Sequence, residues 1–189
     1  VCNDFSSPDR FWINDGSGHF RAVPRLAVRH TSRSSMGIDF ADINRDGHDD
    51  MLVLDMLARQ QSRRLVHLDK EKPIPIVVGK FNDRPRYNRN ALLVSRGDGS
   101  WLEAANYAGL EASDWSWAAA FMDVDLDGLE DVLITNGFSF DTLDIDSKNR
   151  VAAIKNATKL PTAELKRLRK HRPAWPSANA AFRNLGGLR

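Results

Sequence analysis

Two nine-residue stretches carry clustered ligand-type side chains: DINRDGHDD at Asp42–Asp50 and DVDLDGLED at Asp123–Asp131. Oxygen-bearing side chains stand at positions 1, 3, 5 and 9 of each, namely Asp42, Asn44, Asp46 and Asp50, then Asp123, Asp125, Asp127 and Asp131. Position 6 is Gly47 or Gly128, where the backbone can turn sharply at angles that a Cβ would penalise. When such a loop curls, alternate side chains point inward. Position 7, His48 or Leu129, can add its backbone carbonyl whatever its side chain. About five protein oxygens plus water match the six to eight hard donors that Ca2+ takes in flexible geometry. Mg2+ demands a stricter octahedron, and a transition metal prefers imidazole or thiolate, of which the loops hold only His48. Crowded carboxylates repel one another: at an effective dielectric of about 20, a like-charged pair about 4 Å apart costs roughly 4 kcal/mol. A divalent ion reverses that sign. The Asp123 loop is therefore expected to be poorly ordered without an ion. The first loop is expected to bind more weakly, because Asn44 replaces a carboxylate and Arg45 and His48 add positive charge.

An EF-hand shares the opening of this pattern but closes with Glu at position 12. Here position 12 is Val53 or Ile134, inside an apolar run, and the closing acid stands at position 9. The elements around the loops also repeat. The loops start at 42 and 123, an offset of 81 residues, and FWINDGSGHF from Phe11 falls on LLVSRGDGSW from Leu92 at that offset. Met36-Gly37 falls on Trp117-Ala118, Phe40 on Phe121, and MLVLD on VLITN. A fixed long period marks a repeat architecture. NAAFRNLGG from Asn179 resembles NALLVSRGD from Asn90, and VCND at Val1–Asp4 resembles ITNG at Ile134–Gly137. The chain thus reads as two full repeats between two partial ones, a segment of a longer protein.

Each repeat has a β pattern. FWIND-GSG-HFRAV predicts strand, glycine turn, strand. MGIDFAD and WSWAAAFMD alternate two faces at period two, while MLVLDM and DVLITNG suit strands covered on both sides. Four short strands per repeat, arranged around an axis, make propeller blades. The predicted fold is all-β: an incomplete β-propeller of four-stranded antiparallel blades with partly helical insertions. The map runs from the end of a preceding blade (1–10) through repeat A (11–56), an insertion (57–89), repeat B (90–140) and a partly helical insertion (141–178) to the start of a further repeat (179–189). The insertions are expected between blades, the second as two helices split by Pro161.

These residues resemble the FG-GAP/VCBS repeat family, the calcium-binding blades of integrin-α-type propellers. The specific part is the loop D-x-[DN]-x-D-G-x-x-D; Met36-Gly37 and Trp117-Ala118 stand where that family often has Phe-Gly. VLDM and ITNG replace the Gly-Ala-Pro of the integrin form, as in the bacterial VCBS type. NDFSSPDRFWINDGSGHF, DWSWAAAFMDVDLDGLEDVLITNG and DTLDID resemble, more narrowly, cartilage-acidic-protein-like and ASPIC/UnbV-associated proteins. The resemblance implies secretion to the periplasm, cell surface or medium, Ca2+-braced blades in a seven-bladed ring, roles in adhesion or recognition, and no catalytic residues.

Other features carry blander readings. The 189 residues hold 28% charged side chains at a net charge of +2, which gives no general pull toward nucleic acid or membrane. No apolar run reaches the roughly 18 residues of a membrane span. Cys2 is the single cysteine, so an internal disulfide is ruled out. ELKRLRKHR at Glu164–Arg172 reads as a solvated basic face, and RGD at Arg96–Asp98 as a hairpin turn. Trp115 and Trp117 are expected to pack between blades, and Trp12 and Trp101 in the core. Trp175 suits either a cap on an insertion or a partner contact. The expected partners are the remaining blades and a protein or carbohydrate ligand. A propeller enzyme acting on polysaccharide, with catalytic residues largely elsewhere, is the alternative; no G-x-S-x-G motif is present.

Overall fold

Short apolar stretches bounded by glycine turns pair into antiparallel hairpins in this computed structural model, which describes residues 1–4, 7–67, 78–79, 84–158, 164 and 166–188. Strands β1 (Trp12–Asn14) and β2 (Phe20–Ala22) form the first hairpin. A short parallel pair joins β3 (Thr31–Ser32) to β6 (Arg86–Tyr87). A four-stranded sheet follows the order β4 (Gly37–Ala41), β5 (Asp50–Leu54), β7 (Ala91–Ser95), β8 (Trp101–Glu103), antiparallel throughout. A three-stranded sheet repeats its first three strands: β9 (Ser116–Met122), β10 (Asp131–Asn136) and β11 (Ala180–Phe182). The architecture is all-β, an incomplete propeller with small helical insertions.

The blade is offset from the sequence repeat by half a period. One sheet joins the loop-bearing strands of repeat A to the glycine-turn hairpin of repeat B. The stretch 57–89, expected between blades, therefore connects two neighbouring strands of one blade, and 141–178 lies in the same place between β10 and β11. Helix α1 (Gln61–Arg64) belongs to the first and α2 (Ile145–Thr158) to the second. Asp144 caps α2, its Oδ1 accepting the Ser147 N–H at 2.6 Å, the usual way an orphan helix donor is satisfied. In the stretch of the second expected helix Glu164 is α-helical and 166–171 form a 3-10 turn. Pro161 and much of 68–83, including the prolines at 73 and 75, lie outside the described residues.

Strand β5 is buried along its whole length, as its unbroken apolar run requires. One face of the four-stranded sheet packs Val53, Met51 and Leu93 against Val23 and Val28, the link that follows β2. The other packs Leu52, Leu54 and Leu92 against Val132 and Ile134 of the next sheet. A third cluster gathers Trp115, Trp175 and Met56. Trp175 is thus a core residue of the insertions, edge-on to Trp115 at 5.8 Å between ring centres. Trp101 packs partly against the cluster of Val53, Met51 and Leu93. By contrast Trp117 and Trp12 are 45% and 40% exposed, although Trp117 Nε1 donates to the Gly137 carbonyl at 2.8 Å.

The two insertions meet at a buried pair. His67 Nε2 lies 2.7 Å from Asp141 Oδ2, with Arg63 at 3.4 Å. Burial pushes the Asp141 carboxyl up, but the hydrogen bond and charge of His67 and the N–H groups of Asp144 and Leu143 outweigh it, leaving the group below its usual value. Such a carboxylate adds stability above its unfolded-state value of 3.8 and loses it as pH falls through the lowered folded value. His67→Ala is expected to cost about 2 kcal/mol at neutral pH, since Arg63 remains as partner. Urea unfolding should show the difference shrinking once the carboxyl is protonated; a constant difference across pH would count against the pair.

Candidate metal centres

Both acidic loops join an inner strand to the next strand of its sheet, at the same hairpin of consecutive blades. Their backbones are alike. Position 4 is left-handed in each (Arg45 φ 60°, Leu126 φ 60°), as is position 6 (Gly47 φ 85°, Gly128 φ 90°). Glycine at position 6 meets the turn at no steric cost; a side chain at position 4 adopts it under strain, a feature that concentrates at functional sites. Nothing in the acidic spacing signals that strain.

The Asp at position 1 builds each turn. Asp42 accepts the N–H of Asp46 (2.9 Å) and Gly47 (2.8 Å); Asp123 accepts those of Asp127 (3.0 Å) and Gly128 (2.9 Å). Position 5 then accepts the N–H of position 7: Asp46 from His48, Asp127 from Leu129, both at 2.9 Å. The Leu129 N–H holds the Asp127 carboxyl below its usual range, with help from Arg183. These backbone donors fix the curl of the second loop.

The two loops differ in their side chains. Carboxylate oxygens of Asp123, Asp125 and Asp127 lie within 4.8 Å of one another. In the first loop Asn44 turns its amide nitrogen to Asp46 Oδ2 at 2.9 Å and its oxygen to the Asp46 N–H at 3.2 Å. Arg45, expected to weaken its own loop, instead reaches the second, donating to the Gly128 carbonyl and pairing with Glu130 at 3.1 Å.

Position 9 has a structural task in both loops. Asp50 and Asp131 are buried. Asp50 accepts the N–H of Ser95 at 2.7 Å and of Ile43 at 3.3 Å. Asp131 accepts those of Asn184 at 2.8 Å and Val124 at 3.3 Å. Each therefore ties its loop to the strand that follows in the sheet, and each oxygen keeps a lone pair for a further bond. Burial pushes the Asp50 carboxyl up despite those donors. The position-7 side chains cover glycines of the next hairpin turn: a Cβ on Gly97 would meet His48 Nε2 at 2.6 Å, and one on Gly186 would meet Leu129 Cδ1 at 3.9 Å. Gly97 of the RGD stretch is accordingly a turn residue, and Asp98 caps the Ser100 N–H at 2.9 Å.

Sequence reasoning missed the residues that support this frame. Asn90 Oδ1 accepts the Asp55 N–H at 2.8 Å, and Asn179 Oδ1 accepts that of Asn136 at 2.9 Å. The match of NALLV to NAAFR was the signal that could have found them. Asn184 Nδ2 donates to the Ile43 carbonyl at 2.9 Å and the Glu130 carbonyl at 3.2 Å, joining the two loops.

Antiparallel sheets stacked inner strand to inner strand, each with an acidic loop at the same hairpin, define a β-propeller segment. The FG-GAP-like repeat model matches residues 1–53 and 76–134, more than half of the chain. The chain belongs to the FG-GAP-like repeat family. No curated protein and no solved structure matches it.

Proposed function

We propose that this chain is a calcium-binding β-propeller segment of a secreted, periplasmic or cell-surface protein, whose role is binding, adhesion or scaffolding rather than catalysis. The observation that carries the reading is the group of three carboxylates within 4.8 Å on the second loop, set on a backbone turn that the first loop repeats. Every side-chain donor in the two sets is oxygen, the chemistry of a hard cation. In this reading Asp123, Asp125, Asp127 and Asp131 hold one ion with the Leu129 carbonyl, and Asp42, Asn44, Asp46 and Asp50 hold another with that of His48. Bound Ca2+ supplies positive charge that cancels carboxylate repulsion and braces each hairpin. The chain's own residues set the turn and leave blade edges and insertions as the recognition surface for a protein or carbohydrate. Further blades of the parent chain complete the ring. The nearer kinship with ASPIC/UnbV-associated proteins belongs to the same reading. Among the described residues no helix is long and apolar enough to cross a membrane.

A ligand that binds only the folded state stabilises it by RT ln(1 + [L]/Kd), about 1.4 kcal/mol per site at ten times Kd. Thermal unfolding should therefore shift upward with CaCl2 and much less with MgCl2. Asp123→Asn combined with Asp127→Asn should halve the number of tightly bound ions. An unfolding midpoint indifferent to calcium would end the proposal.

A further inference from the structure

The geometry points to Arg183 as a tethered counter-cation of the second loop, which a divalent ion must displace in order to bind; this rests on the metal reading above. Arg183 follows β11, and its guanidinium NH2 lies 2.6 Å from Asp125 Oδ2 and 3.2 Å from Asp127 Oδ2. Those are two of the three carboxylates that converge within 4.8 Å. A single donor nitrogen thus engages oxygens that a cation would need. The Arg183 side chain is 61% exposed, so it can swing into water without disturbing packed groups.

Among the described residues the first loop shows no equivalent ion pair. Met51 faces Leu93 across the first sheet and Val132 faces Phe182 across the second. The next residue is therefore Val94 in one sheet and Arg183 in the other, and Val94 is buried in the core. Arg45 does not take that place, because it reaches Gly128 and Glu130 instead. The loop with more carboxylates is thus the one that carries its own neutralising arginine. Charge count alone ranks the second loop as the tighter site; displacement of the guanidinium offsets that advantage. Two partly exposed ion pairs lost on binding correspond to about a tenfold weakening.

The test is equilibrium dialysis with radioactive calcium on chains whose first loop is silenced by Asp42→Asn and Asp46→Asn, so that the second loop alone reports. In that background Arg183→Ala and Arg183→Gln should bind calcium about tenfold more tightly than the parent, while Arg183→Lys should stay close to it. Circular dichroism checks that each variant is folded. Equal or weaker binding in both neutral variants overturns the role of Arg183 while leaving the metal reading in place, because the parent still binds. An absence of bound calcium in the folded parent and in both neutral variants overturns the two together.

Discussion

Asp55→Ala is expected to remove about 4 kcal/mol of stability, a large share of what a domain of this size holds. Asp55 directly follows β5 and is fully buried. Its carboxylate accepts the Ser32 hydroxyl and the N–H groups of Arg33 (2.9 Å), Ser34 (2.9 Å) and Met56 (2.6 Å). Its own N–H donates to Asn90 Oδ1 at 2.8 Å. The side chain therefore joins the 31–34 link to the end of the loop-bearing strand, and the backbone N–H, which alanine keeps, adds the residue before β7. Alanine would leave the Ser34 and Met56 N–H groups without this acceptor and the Ser32 hydroxyl and Arg33 N–H with only the Arg89 and Tyr87 carbonyls (3.1 and 3.0 Å), and each buried unsatisfied donor costs about 1–3 kcal/mol before relaxation. Asp55→Asn keeps one acceptor oxygen and turns an amide donor toward the rest, so an intermediate loss is expected. Urea unfolding in chelator, which removes any contribution from metal, measures the effect. A loss under about 1 kcal/mol for alanine would show that these bonds do not anchor the blade.

The same group gives a pH signature. Burial pushes the Asp55 and Asp9 carboxyls above their usual value of 3.8, against the hydrogen bonds that each accepts. A carboxyl with a raised folded-state pKa binds its proton more tightly folded than unfolded. Its contribution is complete below the unfolded value and is lost as pH rises through the folded one. Lowering pH from neutral toward about 4 should therefore draw added stability from these two groups, and Asp55→Ala should flatten that slope.

Gly37→Val is expected to cost about 3 kcal/mol, the upper end of overpacking penalties. A Cβ at Gly37 would lie 2.7 Å from the Trp117 carbonyl oxygen and 3.2 Å from the Ala118 Cα. Both are backbone atoms of β9, the inner strand of the next sheet, so no rotamer change can relieve the clash and the sheets must separate. Separation would also stretch the bond from the Phe121 N–H to Asp39 Oδ2, now 2.7 Å. Gly37→Ala should show the same effect at about 2 kcal/mol. Gly16→Ala is the control: its φ is +87° but nothing lies within 4 Å of the added methyl, so only left-handed strain of roughly 1–2 kcal/mol applies. Thermal unfolding would decide the matter. If Gly37→Ala proved no worse than Gly16→Ala, the close approach of the inner strands would not be limiting.

The local chemistry was legible because it is written in short range. Turn glycines, period-two alternation and D-x-[DN]-x-D-G spacing each act within a few residues. The strands around Trp12, Ile38, Leu52, Leu133 and Ala181, and the hairpin position of both loops, followed from them. The insertions were less legible. Residues 166–171 form a 3-10 turn after helical Glu164; a basic run suits either exposed form equally well, while Leu168 beneath it is buried. Asp50 and Asp131 read as ligands by type and spacing, yet their backbone partners Ser95 and Asn184 lie 45 and 53 residues away.

The sequence by itself determined that the chain repeats, that its repeats are β hairpins, and that two loops gather hard oxygen donors, since all three are properties of neighbouring residues. Only the tertiary structure decided where a blade begins, which residues brace the loops, and which arginine faces which carboxylates. Strand pairing sets a blade's limits by hydrogen bonds between distant segments, and a repeat, being periodic, looks the same wherever the cut is made. Arg45 and Arg183 both stand near acids in the sequence or the sheet, but a long flexible side chain finds its partner only after the sheets have stacked.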